Sequence, residues 1–384
     1  MSQDLSIASA QWAARPADER YLTLESLLAA VTARAERCEV QVTPNKHFKV
    51  QGEDKAGSEL LIDTEMGMLA PTHWSFGQLA SMAQVPAKWL RTIGTHTGGP
   101  SLASYALNYG IQMLAAKDSV QIMAENGPMA TTEAELQAWE QAGRPPIDTL
   151  RCITGRDYGR IYDREVVQAV IDVNQDGRWH VPSASYKAQN PQRATTLYAS
   201  DRDCFIFLVD EAHDVEIRLE GDGVRNLHRG FITWNSEVGS ATFGLMTFLY
   251  DYCCDNRTIW GAEEVKTFTV RHTAGGPDRF RREAQPMLAK YADASVQDVK
   301  RRLEAASRFK LGNTDDEVIA WLRKQAFAKG EATQIIESAK AEEGDARTLW
   351  QIVQGVTAKA RSIQHQDDRL ALEQRGSALL RYAA

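Results

Sequence analysis

Several common chemical signatures are missing from this 384-residue chain. It has no GxxxxGK[ST] phosphate loop, no GxGxxG opening a helix after a strand, and no HExxH, GxSxG or EF-hand pattern. A nucleotide-driven motor and a Rossmann dehydrogenase are therefore disfavoured. The five cysteines, Cys38, Cys152, Cys204, Cys253 and Cys254, contain no CxxC pair, which leaves neither a zinc ribbon nor a redox motif. Reduced, buried thiols are expected instead. No window approaches the ~18–20 apolar residues that a bilayer span needs. Met1-Ser2-Gln3-Asp4 has neither a basic start nor an apolar core, so no secretory signal is expected. A cytoplasmic protein with no membrane partner, no cofactor, no metal and no assigned catalytic residue is the resulting expectation. No repeat of fixed period emerges either, which argues against a solenoid.

What is present suits a globular chain of two or three domains: 43% hydrophobic and 25% charged residues, enough to bury a core without disulfides. The formal charge is −7. A uniformly acidic surface would repel nucleic acid, so phosphate binding would require basic groups to be segregated.

The pattern predicts an α+β fold in three regions: 1–146 helical and mixed, 147–275 a strand-rich core, and 276–384 helical. Residues 1–40 read as helical, with Leu22, Leu24, Leu27, Leu28 and Val31 at helical spacing and Thr23 as the starting residue. Short strands are expected at His47–Val50, Leu60–Asp63, Ser119–Ala124 and Leu150–Thr154. Helices are expected at Ser75–Ala83, after Pro86, at Leu102–Leu114, Thr132–Gln141 and Glu165–Val173. The Gln84-Val85-Pro86 junction imitates a DNA-reading helical pair, but the second helix is mostly apolar and reads as core. From about 194 to 273 the period becomes that of strands, with a mostly antiparallel sheet predicted. Cys204–Val209 and Val215–Leu219 are expected to be separated by an acidic turn, Asp210–Asp214. Breaks in the helical tail are expected near Leu311–Asn313, Gly330 and Gly344, with Asp278 or Asn313 as caps.

Three groups of residues stand out. The run Asn235-Ser236-Glu237-Val238-Gly239 ends an apolar strand, where a carboxylate is costly unless paired. Glu237 there either orients a loop, paired with Arg229 or His272, or acts as a general base. Asp201 and Asp203, two apart on one strand face, could share a divalent cation, with His213, Glu216 and His228 close in sequence; a locally paired strand end is the alternative. Finally, Arg257–Lys310 holds twelve basic against seven acidic residues, a local charge of about +5. Arg257, Lys266, Arg271, His272, Arg279, Arg281 and Arg282, beside Trp234, Tyr250, Tyr252 and Trp260, suit single-stranded nucleic acid, where cations meet phosphates and bases stack. An aromatic core with a solvated helix face is the competing explanation.

The segment Gly230-Phe231-Ile232-Thr233-Trp234-Asn235-Ser236-Glu237-Val238-Gly239 resembles the core signature of the phage/plasmid-like family called domain of unknown function 932. Cys253-Cys254-Asp255-Asn256, Arg271-His272, Thr149–Asp163 and Val85-Pro86 are similar to further segments of that family, over most of residues 70–275. Arg257 departs from the glycine common there. The resemblance implies genes of phages, plasmids and integrated elements, and it identifies no catalytic residues. That context favours replication, recombination or defence evasion. Together with the missing phosphate loop, the basic segment after the sheet and the long helical tail, the leading expectation is a DNA-associated protein that binds single-stranded DNA in recombination, annealing or protection. Such a protein is expected to form a homo-oligomer and to meet host or phage replication and recombination proteins. A metal-dependent nuclease or phosphoesterase using Asp201, Asp203, Glu237 and His272 is one alternative, and a protein-binding inhibitor of host defence another.

Overall fold

The computed structural model of the protein describes residues 20–52, 60–94, 96, 98–127, 148–181, 195–219, 223–251, 256–258, 267–293, 297–363 and 366–383. After a two-residue strand β1 (Arg20–Tyr21), Thr23 starts helix α1 (Leu24–Glu36) by accepting the Ser26 N–H on its hydroxyl at 3.1 Å. The helix stops short of the predicted residue 40. Cys38, Val40 and Val42 instead alternate along strand β2 (Cys38–Pro44), which lies antiparallel to β6 (Ser119–Glu125) from Cys38 opposite Glu125 to Pro44 opposite Ser119. β-Branched residues at every second position favour the pleat once a partner strand is available.

Strands β3 (Lys49–Gln51), β4 (Leu61–Thr64), β5 (Gly67–Pro71) and β7 (Asp148–Gly155) complete a six-stranded sheet in the order β2-β6-β7-β5-β4-β3. Its β5–β7 pair is parallel and its other pairs are antiparallel. Strand β7, which the sequence pattern groups with the central core, thus belongs to the N-terminal sheet. Helices α2 (His73–Met82), α3 (Ala87–Gly94) and α4 (Gly99–Gly110) cover one face through Leu79, Leu90, Leu107, Ile62, Ile122 and Leu150. Thr72 caps α2 with its hydroxyl on the Ser75 N–H at 3.0 Å. A π-helical turn, Ile111–Ala115, prolongs α4. The helix expected at 132–141 lies outside the described residues.

The second sheet runs β1-β8-β9-β10-β11-β12, with β8 (Leu197–Ala199), β9 (Cys204–Leu219), β10 (Gly223–Asn235), β11 (Phe243–Asp251) and β12 (Asn256–Thr258); β13 (Thr267–Val270) flanks the start of β11. All these pairings are antiparallel. The fold is α+β, as the alternation predicts.

One local expectation fails. Asp210–Asp214 is not a turn between two strands but a bulge inside the continuous β9. His228 pairs with Asp214 while the next residue, Arg229, pairs with Asp210. Buried Asp210 accepts the Ala212 and His213 N–H groups at 3.1 and 3.2 Å and is held by Arg178. Its side chain replaces the ladder bonds that the extra residues lose. Helices α1, α5 (Asp163–Val173) and α6 (Gly276–Asp293) close one face of this sheet through Leu27, Val167, Phe280 and Leu288 against Ile206, Phe231 and Leu245.

Helices α7 (Gln297–Arg308), α8 (Asp315–Lys324), α9 (Lys329–Glu343), α10 (Leu349–Arg361) and α11 (Gln366–Ala378) gather around α10, whose Trp350 is fully buried. They pack on the far end of the β9–β10 hairpin through Val215, Ile217, Leu219 and Leu227. Thr314, rather than Asn313, caps α8, accepting the Glu317 N–H at 3.3 Å, and Gly330 falls inside α9. Among the described residues no helix is long and apolar enough to cross a membrane.

Candidate functional site

The loop after β10 is a buried joint between the two sheets. Asn235, Ser236, Glu237 and Val238 are all buried. Gly239 takes a positive φ of 88°, which turns the chain back toward β11. Asn235 donates from its amide to the Ile161 carbonyl at 2.9 Å and to an Asp163 carboxylate oxygen at 2.7 Å. The Ser236 hydroxyl donates to the Arg202 carbonyl at 2.6 Å and accepts the Ser240 N–H at 2.9 Å. The Tyr158 hydroxyl donates to the Ser236 carbonyl at 3.0 Å. From α2, the Trp74 indole and the Gln78 amide both donate to the Val238 carbonyl, at 3.0 and 2.9 Å. The Asn235 amide and the Ser236 hydroxyl thereby hold backbone of other segments, while the buried Asn235 Oδ1 has no hydrogen-bond partner among the described residues.

Glu237 meets neither of its expected partners. It pairs with Arg151 of β7, Nη1 to Oε1 at 2.8 Å, and its other oxygen accepts the Asp163 N–H at 3.3 Å. A second buried guanidinium, Arg160, donates to the Glu237 carbonyl. Burial would lower the Arg151 pKa, but Glu237, Cys38 and Glu125 raise it above its ordinary value, so it stays charged. Asp163 is pushed the other way: burial first, then the neighbouring Glu237, raise its carboxyl well above the usual range. Two buried cations thus face two carboxylates, one of which resists ionisation.

His272 stacks on Tyr158 with centroids 4.9 Å apart, its Nδ1 3.2 Å from the Gly159 carbonyl. Burial lowers its pKa to about 4, so at neutral pH it carries no charge to offer a phosphate. Asp201 and Asp203 lie in the turn between β8 and β9, not on a strand face. The Ser200 hydroxyl accepts the Asp203 N–H at 3.1 Å and donates to its carboxylate at 2.8 Å. Asp201, Asp203, Glu237 and His272 do not converge on a metal position: among the described residues no group of three or more His, Cys, Asp or Glu could hold an ion.

Of the predicted cationic surface, the three α6 arginines are engaged in ion pairs. On α6, Arg279 pairs with Glu283 at 2.9 Å, Arg281 with Glu165 at 2.9 Å and Asp278 at 3.3 Å, and Arg282 with Glu283 at 3.0 Å. Arg271 is exposed. Arg257 sits in β12 opposite Tyr250, and its side chain, like Lys266, Tyr252 and Trp260, lies outside the described residues. Trp234 is half-buried, laid across the strand partner Gly244, where it extends an apolar cluster with Phe207, Phe248 and Met246.

Sequence reasoning missed the partners of the motif, Arg151, Arg160 and Asp163, because the link is across sheets. It also missed the outer face of α4. Ala103, Leu107 and Ile111 are buried, yet Leu102, Tyr105, Tyr109 and Met113 are 46, 68, 58 and 64% exposed. A helix apolar on both faces was the available signal. From Met66 through Lys117 the chain contains no Asp or Glu, though exposed Glu65 and Asp118 bracket the stretch, and Lys88, His96 and Lys117 are exposed. No family model, no curated protein and no solved structure matches the chain.

Proposed function

We propose that this protein binds single-stranded DNA for a mobile genetic element, holding strands for annealing or protection in the cytoplasm as a homo-oligomer. The observation that carries the reading is charge segregation. In a chain of charge −7, the layer formed by α2, α3 and α4 has cations and no carboxylate. These three helices themselves offer a polyanion no carboxylate, with Glu65 and Asp118 at the border, and counterion release favours the contact. The resemblance of the 230–239 segment to phage and plasmid proteins supports the mobile-element context. The α6 arginines contribute little, because a phosphate must first displace Glu165 or Glu283 from them.

The test is a fluorescence-anisotropy titration of a labelled oligo(dT) against salt. Binding should weaken with a log–log slope of about −0.7 per phosphate neutralised. Replacing Lys46, Lys88 and Lys117, all exposed, by Ala should reduce that slope by about 2. Changing Arg279, Arg281 and Arg282 to Ala should leave it nearly unchanged. Absence of binding to single strands at low salt removes the proposal.

A further inference from the structure

We infer that the outer face of α4 is the base-stacking platform of this protein, with Tyr105 and Tyr109 as its two rings and a stretched single strand as its occupant. The inference rests on the strand-binding reading above and adds to it the place and mode of contact. Leu102, Tyr105, Tyr109 and Met113 follow one another at intervals of three and four residues, so they form one stripe about 16 Å long. Single exposed apolar residues are ordinary, but four large ones in a row on a helix otherwise well packed on its inner side mark a contact surface. The tyrosine rings are 6.3 Å apart and inclined by only 24°, near the outer limit for touching rings, so each keeps a face free.

Two features select nucleic acid over an apolar protein partner. The first is charge: no carboxylate occurs on α2, α3, α4 or their connections, and Lys46, Lys88 and Lys117 are exposed. Lys46 is tied to the platform, its carbonyl accepting the Gln112 amide at 3.3 Å, and Lys117 lies two residues beyond the π turn, followed by exposed Asp118. A π turn of this kind recurs at functional sites, because it re-aims the side chains around it. The second is spacing. The rings are 6.3 Å apart, so bases stacked on their two outward faces would lie about 13 Å apart, a span that an unstacked, extended strand covers with fewer nucleotides than one stacked at about 3.4 Å per step. Duplex bases, already stacked on each other, offer no face to such a ladder. Tyrosine also has few rotamers to lose, and base–aromatic stacking is tolerant of sequence.

The experiment measures oligo(dT) and duplex binding by anisotropy for the whole protein and for two double variants. Tyr105→Ala/Tyr109→Ala should weaken single-strand binding by about 5- to 150-fold for each stacked base lost. Its salt slope should stay that of the parent, since no charge is removed. Tyr105→Phe/Tyr109→Phe should bind like the parent, because the stacking faces are kept. Both side chains are exposed, so the variants should fold, which circular dichroism checks. If the parent binds and the alanine variant binds equally well, the platform is wrong while strand binding stands. If the parent does not bind single strands, strand binding itself falls, and the platform with it. If the alanine variant keeps DNA binding but loses mass in light scattering, the face joins two copies of this chain and the inference is overturned.

Discussion

Changing Glu237 to Gln should destabilise the protein strongly, because its carboxylate compensates a guanidinium that water cannot reach. Arg151 is 2% exposed at its side chain and Glu237 5%, with 2.8 Å between them. Removing one partner of a buried pair costs about 3–5 kcal/mol. Glutamine keeps the shape and one acceptor, and the Glu125 carboxylate 3.6 Å from the Arg151 Nε retains part of the compensation, which places the loss near the lower bound, about 3 kcal/mol. The amide also sets a donor against the Asp163 N–H, where Glu237 now accepts at 3.3 Å. In urea the midpoint should fall with an unchanged slope. In a thermal melt the drop should be about 4 °C, at roughly 1.2 °C per kcal/mol for a chain of 384 residues. Arg151→Met alone should be comparably damaging, since it strands Glu237. The double variant should be better than the sum by about 2–3 kcal/mol, as neighbouring buried charges couple. An E237Q protein within about 0.5 kcal/mol of the parent, with additive effects in the double variant, would refute the reading of this loop as a charge-paired joint.

Gly244→Ala should cost about 1–3 kcal/mol in denaturant titration, since a Cβ there would lie 2.0 Å from the Trp234 ring and the indole would have to leave its place over the strand. His272 has a folded pKa of about 4 against about 6.5 unfolded, so its stabilising share is present above pH 6.5 and lost as pH falls toward 4, at most about 3 kcal/mol. Melting curves across that window should therefore be steeper in pH for the parent than for His272→Gln, and parallel curves would exclude the effect. Asp163 has the opposite sign. Its raised carboxyl favours the folded state below the unfolded value, and that contribution is lost as pH rises through the folded one. Asp163→Asn should accordingly gain on the parent as pH rises, and a constant difference between the two melting profiles would show that Asp163 does not titrate with folding.

Local pattern was sufficient wherever the interaction is local. Thr23 and Thr72 cap helices because their hydroxyls reach N–H groups three residues on, a geometry set within one turn. The alternation from residue 194 onward specified strands because side-chain period is a property of the backbone itself. The strands of β9 and β10 were therefore legible, and so was the importance of a carboxylate at the end of an apolar strand. Asp210 shows where this stops: a polar run that reads as a turn becomes a bulge once Arg178, distant in sequence, takes up its charge.

The sequence by itself determined the α+β class, the position of the strand-rich centre and the need of Glu237 for a partner, since composition, period and desolvation act on the chain alone. Only the tertiary structure decided that the partner is Arg151 from the other sheet, that the α6 arginines are spent on Glu165 and Glu283, and that Tyr105 and Tyr109 are left facing water. Pairing and exposure depend on what packing brings together from far along the chain, and no local pattern carries that information.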